Sequence, residues 1–90
     1  MKITKKEFKK ILKEKLNCKE SREIILNFIE SLPQRESQII KFRLGINSNP
    51  KTIKEISEEF SLSQSYIRTR ESWALYRIER AYLFKVKNNA

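Results

Sequence analysis

Five polar side chains in the last third of the sequence recur with helical spacing. Gln64, Ser65, Arg68, Thr69 and Ser72 stand where one face of a helix would carry them all. Their chemistry is hydrogen bonding to the edges of flat heterocycles: Arg pairs with guanine O6 and N7, and Gln with adenine N6 and N7. Other chemistries are poorly supplied. The chain has no His, no Asp and a single Cys, Cys18, so it cannot assemble the nitrogen and sulfur ligands of a zinc site or close an internal disulfide. Its one glycine, Gly45, excludes a phosphate-cradling P-loop and a dinucleotide fingerprint. A catalytic base would have to be Glu, Lys or Cys18, and none of these sits in a recognisable catalytic constellation. The absences point away from an enzyme, a metal, a cofactor and a small-molecule substrate.

The elements that must hold those five residues are legible next to them. Thr52 with Glu55 three residues on is a capping box. A short helix follows, with Ile53, Ile56 and Phe60 inward. Ser61-Leu62 makes a tight turn, and Ser63 caps a longer helix carrying Ile67, Ala74, Leu75, Ile78 and Ala81, expected to run to about Phe84. A short helix, a turn and a longer helix are the parts of a helix-turn-helix. Ser57 is small enough for the crossing, and Ile56, Phe60, Leu62 and Ile67 are apolar where the two helices meet; Ser61 stands where such turns often carry Gly. The same spacing also arises in plain helical bundles. In a helix-turn-helix the first residues of the second helix meet base edges in the major groove. Thr52 and Ser63, at helix N-termini, are then placed for phosphate oxygens.

Upstream, three more helices are expected. Thr4 to Leu16 carries Phe8, Ile11, Leu12 and Leu16 as one stripe, with Thr4 and Glu7 as a capping box. Such a basic amphipathic helix suits a membrane surface, a partner groove or its own domain, and packing on its own domain is the simplest of these. Lys19 to about Leu32 places Ile24, Ile25, Phe28, Ile29 and Leu32 on one face, and Pro33 disfavours helix at the residue before it. A third helix starts at Pro33, carries Ile39, Ile40, Phe42 and Leu44, and stops at Gly45. Residues 46–51 form a loop, and 85–90 a frayed tail. Ninety residues with one Gly and two Pro therefore make one all-α domain, a small bundle of about five helices containing a helix-turn-helix. No apolar stretch approaches a membrane helix or a signal peptide, and the expected setting is the cytoplasm. The formal charge is +9, a value that serves ordinary solubility or a phosphate-binding surface.

Longer strings of residues resemble a known family. Leu32-Pro-Gln-Arg-Glu-Ser-Gln-Ile-Ile-Lys-Phe-Arg-Leu-Gly-Ile46 is similar to the "L-x-x-R-E-x-x-V/I-L-x-x-R-F/Y-G-L/I" run of bacterial sigma factors. Lys51-Thr-Ile-Lys-Glu-Ile-Ser-Glu-Glu-Phe60 resembles their "T-L-E-E-I-G-x-x-F", and Ser61-Leu-Ser-Gln-Ser-Tyr-Ile-Arg68 their "x-V-S/T-R-E-R-I-R", with Ala74-Leu75 matching the "A-L-x-K-L" beyond. The resemblance is to region 4, the module that reads the minus-35 promoter element and grips the flap of the polymerase β subunit. The match covers about residues 31–80; together with the helical pattern it divides the chain into helices at 1–30 that pack on the domain, the region 4-like unit at 31–84 and a flexible tail at 85–90. It implies Arg35 and Arg43 as phosphate contacts beside Thr52 and Ser63, and Gln64, Ser65, Arg68, Thr69 and Ser72 as base readers. The implied partners are double-stranded promoter DNA and RNA polymerase core, through the β flap, or a partner sigma subunit.

The departures bear on specificity. The family's Arg-Glu base-reading pair is replaced by Gln64-Ser65. Arg68 keeps its basic counterpart, and a family Gln becomes Thr69. Arg70 stands at an apolar position, and Trp73 where Lys is frequent. Tyr66, Arg70, Trp73 and Arg77 form one stripe, serving either packing with cation–π contacts or a partner surface. Ninety residues cannot hold the further sigma-factor domain that binds the polymerase clamp and melts the minus-10 element. With Met1 as the true start, the expectation is a stand-alone region 4-like protein: a promoter-specific accessory, half of a split sigma factor or a phage-type regulator; as an excised piece of a longer chain, the missing part lies upstream. The alternative reading is a polymerase- or sigma-binding regulator that keeps the fold and does not read DNA.

Overall fold

A computed structural model describes residues 4–88, with side chains through Lys85. It contains five helices: α1 (Lys5–Leu16), α2 (Lys19–Glu30), α3 (Gln34–Leu44), α4 (Ile53–Phe60) and α5 (Gln64–Asn88), with no strand among the described residues. Local chemistry starts three of them. In α1 the Thr4 hydroxyl accepts from Glu7 N–H at 3.1 Å and Thr4 N–H donates to Glu7 Oε1 at 3.1 Å. Thr52 and Glu55 repeat the exchange at α4, and the Ser63 hydroxyl accepts from Tyr66 N–H at 3.0 Å to open α5. Each cap satisfies amide groups that the first turn leaves unpaired.

The stops are equally local. Gly45 ends α3 in the left-handed region with φ 70°, and Ile46 N–H returns to Lys41 O at 2.9 Å. A Cβ at Gly45 would lie 2.8 Å from Pro50 Cδ and Cγ, so both conformation and space demand glycine. Ser61 ends α4 with φ 56°; it adopts the left-handed conformation that Gly fills at no steric cost, at roughly 1–2 kcal/mol for a serine. Between α1 and α2, the Ser21 hydroxyl donates to Lys15 O at 2.7 Å and Arg22 Nη1 to Leu16 O at 3.2 Å. These bonds occupy carbonyls that end α1 without helical partners.

Three boundaries differ from the sequence reading. Helix α2 ends at Glu30 rather than near Leu32; the Ser31 hydroxyl donates to Phe28 O at 2.7 Å and closes the last turn, while Leu32 still packs on the core. Pro33 precedes α3 instead of opening it, because its ψ of 143° is extended. Helix α5 does not stop at Phe84. It continues to Asn88, since no Gly or Pro interrupts 81–88 and Tyr82 ties it to α1, with Lys15 Nζ 5.3 Å from the ring centre. The Tyr82 hydroxyl beside it raises the Lys15 pKa. The expected tail at 85–90 is therefore helical at 85–88, and 89–90 lie outside the described residues.

Packing divides into two apolar clusters that share α3. One gathers Phe8, Leu12 and Leu16 of α1 with Ile25 and Ile29 of α2, Ile40 and Leu44 of α3, and Ala74, Leu75 and Ile78 of α5. Phe8, Leu12 and Leu16 of the α1 stripe thus pack on their own chain, while Ile11 is half-buried outside both clusters. The other joins Ile39, Ile56 and Ile67, surrounded by Phe42, Ile53, Phe60 and Leu62. It sets the angle between α4 and α5, and Ser57, buried in the crossing, leaves room for it. Ile56→Ala is expected to cost about 3 kcal/mol of folding free energy by opening a cavity where Ile56 is fully buried; urea unfolding measures it.

Candidate nucleic-acid interface

Helix α4, the Ser61–Ser63 turn and the start of α5 form the helix-turn-helix that the apolar spacing predicts, with Ile56 facing Ile67 across it. Gln64, Ser65, Arg68 and Thr69 are exposed on the first turns of α5, while Ile67 between them is buried. The four exposed side chains are thus held out by a residue anchored in the core. Arg68 Nη2 lies 3.5 Å from Gln64 Oε1, and the Thr69 hydroxyl donates to Ser65 O at 3.0 Å. Thr69 keeps its hydroxyl oxygen as an acceptor, usable against a base edge.

Ser72 is set apart from the other four. Its hydroxyl donates to Arg68 O at 3.0 Å and accepts from Lys5 Nζ at 2.5 Å, and it is half-buried against the start of α1. The face that sequence spacing draws with five residues is, in three dimensions, four residues bounded by α1.

The four candidate phosphate contacts occupy different environments. Thr52 and Ser63 are exposed N-caps whose oxygens accept from the helix, leaving each hydroxyl proton to donate outward. The Thr52 N–H that binds Glu55 also lowers the Glu55 carboxyl pKa, so this helix start is already partly neutralised by an anion. Arg35 lies with its guanidinium 4.3 Å from the Phe60 ring centre and Nη1 3.5 Å from Gln38 Oε1. Arg43 is engaged inside the fold: Nε lies 2.5 Å from Glu71 Oε2 and Nη1 donates to Lys51 O at 3.0 Å.

Two buried carboxylates organise this region. Glu71 binds Arg43 of α3 and, at 3.2 Å, Lys9 of α1. Glu36, with 1% of its surface exposed, accepts from Arg77 Nε at 3.0 Å and Arg70 Nη1 at 3.4 Å. The Tyr66–Arg70–Trp73–Arg77 stripe is therefore divided in function. Its arginines turn to Glu36 while stacking 5.7 Å from the Tyr66 and 5.6 Å from the Trp73 ring centres, and the rings themselves are exposed. Sequence reasoning missed both carboxylates as organisers. The available signal was Glu36 on the same stripe as Ile39 and Ile40, together with Arg70 at a position where the pattern asks for an apolar residue.

Among the described residues no group of acids and Cys18 could hold a metal, and no helix is long and apolar enough to cross a membrane. The family model described as sigma-70, region 4 matches residues 28–80. The chain is 37% identical over 57 residues, 62% of its length, to a protein of Arabidopsis thaliana named RNA polymerase sigma factor sigF, chloroplastic, and spans 10% of that relative's length. No solved structure matches the chain. Region 4 is a DNA-binding transcription module rather than an enzyme family, and with its model covering more than half of the residues, helix-turn-helix included, this chain belongs to the sigma-70 region 4 family.

Proposed function

We propose that this chain binds double-stranded promoter DNA with the first turns of α5 in the major groove, and that it contacts RNA polymerase core or a partner sigma subunit, in the cytoplasm. The observation that carries the reading is the exposed Gln64–Ser65–Arg68–Thr69 face on a helix whose Ile67 is locked against α4. Arg68 reads guanine and Gln64 adenine, in keeping with their donor and acceptor patterns. Thr52, Ser63 and Arg35 hold the flanking phosphates, and Arg43 braces Glu71 while offering its remaining edge to the backbone.

Salt-dependent binding of the purified chain to a pool of promoter fragments tests this. Absence of binding to every fragment at low salt refutes it. Within a binding protein, Arg68→Ala is expected to cost about 1–3 kcal/mol on the preferred sequence and to relax one base position. Arg35→Ala should weaken all sequences alike and reduce the salt slope by about one. Base preferences unchanged in Arg68→Ala would move the reading face elsewhere.

A second reading, a polymerase- or sigma-binding regulator without DNA reading, draws on Tyr66, Trp73 and Tyr76, which are 41%, 46% and 50% exposed along α5. Exposed aromatic rings beside arginines are frequent anchors of protein interfaces. The same binding assay separates the two readings.

A further inference from the structure

Helix α1 lies wholly before the residues matched to the family, and its two faces have opposite fates. Phe8, Leu12 and Leu16 are spent in the core. The opposite side lines a groove whose other wall is Arg43, Lys51 and Thr52, and it brings Lys6, Lys9, Lys10 and Lys13 to that groove, with Glu7 as the groove's one acid. Most of the remaining charge is already committed. Lys9 and Arg43 share Glu71, Lys51 lies 3.7 Å from Glu59, and Glu7 is held in the Thr4 capping box. Lys6, Lys10 and Lys13 are exposed and form no ion pair among the described residues.

We infer that Lys6, Lys10 and Lys13 form a second phosphate-binding ridge, which lays α1 along one strand of the DNA backbone beside the start of α4. Three observations favour DNA as the occupant. The ridge shares its groove with Arg43 and Thr52, so it continues the surface already assigned to phosphates. The helix advances about 10 Å from Lys6 to Lys13, and the flexible lysine stems extend that reach, so the ridge meets about two to three consecutive phosphates of one strand. A bilayer is disfavoured because membrane-surface helices bury an apolar face in lipid, and three of the four apolar stripe residues of α1, Phe8, Leu12 and Leu16, are already inside the protein.

The inference rests on the DNA-binding reading and is tested so that the two can fail separately. Dissociation constants for a 20-bp duplex of arbitrary sequence are measured across a salt series, with the full chain and with Lys6→Gln/Lys10→Gln/Lys13→Gln. The triple variant should weaken binding by about tenfold or more at 0.1 M salt and reduce the slope of log K against log salt by about 2–3, close to 0.9 per phosphate lost. Its melting temperature should be unchanged, and Lys6→Arg/Lys10→Arg/Lys13→Arg should restore affinity and slope. Lys19→Gln/Lys41→Gln/Lys85→Gln removes the same net charge from residues outside the groove, and it should lose less than half as much slope. An unaltered slope in the groove variant, while the full chain still binds, overturns the ridge and leaves the DNA reading standing. Equal losses in both triple variants overturn it as well, because net charge then accounts for the effect. A full chain with no salt-dependent binding overturns both.

Discussion

Deleting residues 1–16 is expected to lower the melting temperature by about 15–30 °C while leaving DNA sequence preference unchanged. Helix α1 delivers Phe8, Leu12 and Leu16 to the larger core cluster, where they are 6%, 1% and 6% exposed. Truncating any one of them to alanine costs about 2–5 kcal/mol. Removing the helix loses all three side chains and uncovers the apolar faces of α2, α3 and α5 against which they pack. The removal is expected to cost at least as much as one such truncation, about 4 kcal/mol, against a total of about 5–13 kcal/mol for a domain of this size. In a domain of 60–100 residues each kcal/mol moves the midpoint by about 4–8 °C. Sequence preference should survive because Ile39, Ile56 and Ile67, which set α5 against α4, form a cluster without α1 residues. Affinity for DNA of any sequence should fall, since Lys6, Lys10 and Lys13 leave with the helix. Circular dichroism melts, followed by competition between duplexes well below the midpoint, measure both effects. A truncated chain that melts with the full chain would remove α1 from the core.

The second large effect lies at Glu36. Arg70→Ala with Arg77→Ala is expected to destabilise the fold by about 3–5 kcal/mol, because it leaves a carboxylate buried without a cation. Each single substitution should cost much less than half of that, since the other guanidinium stays in place, and the shortfall measures the coupling. Glu36→Gln should cost less than the double change. The arginines it releases are 31% and 49% exposed at the side chain and recover water. Replacing the core of the network with apolar residues, as in Glu36→Met/Arg70→Leu, should come close to the parent. Arg70 helps explain why: its Nε is buried with no hydrogen-bond partner, so the parent network is itself incompletely satisfied. Urea midpoints for the parent and the five variants settle the comparison. A double variant that loses less than about 1 kcal/mol would show that Glu36 does not need its arginines.

The candidate site was legible to different depths. Gln64, Ser65, Arg68 and Thr69 could be placed on an exposed face because helical periodicity puts Ile67 on the opposite side, and the structure brings these four together. Ser72 has the same periodicity, yet its surroundings depend on Lys5, 67 residues earlier in the chain. Arg43 reads as a phosphate contact in sequence and is half spoken for by Glu71, 28 residues later. Arg70 reads as a misplaced charge and is the partner of Glu36, 34 residues earlier.

What the amino-acid sequence determined alone is whatever is decided within about one helical turn. The capping boxes at Thr4 and Thr52 each close over three residues. The Gly45 stop is a property of one backbone angle, and the Ser61 turn follows from the short spacing between two apolar runs. The inward faces of all five helices follow from side-chain period, and the family from strings of residues in register. Only the tertiary structure decided which helix surfaces meet. The α1 stripe required burial somewhere, and the docking of α1 against α2, α3 and α5 chose the place. Packing of α3 against α5 turned Glu36 from a surface acid into a buried organiser, as the meeting of α1, α3 and α5 did for Glu71, and the docking of α1 turned its lysines from a solvated face into one wall of a basic groove. The physical reason is range. Backbone angles and caps act between neighbours in the chain, whereas ion pairs and grooves exist only once the elements that carry them have packed at fixed angles.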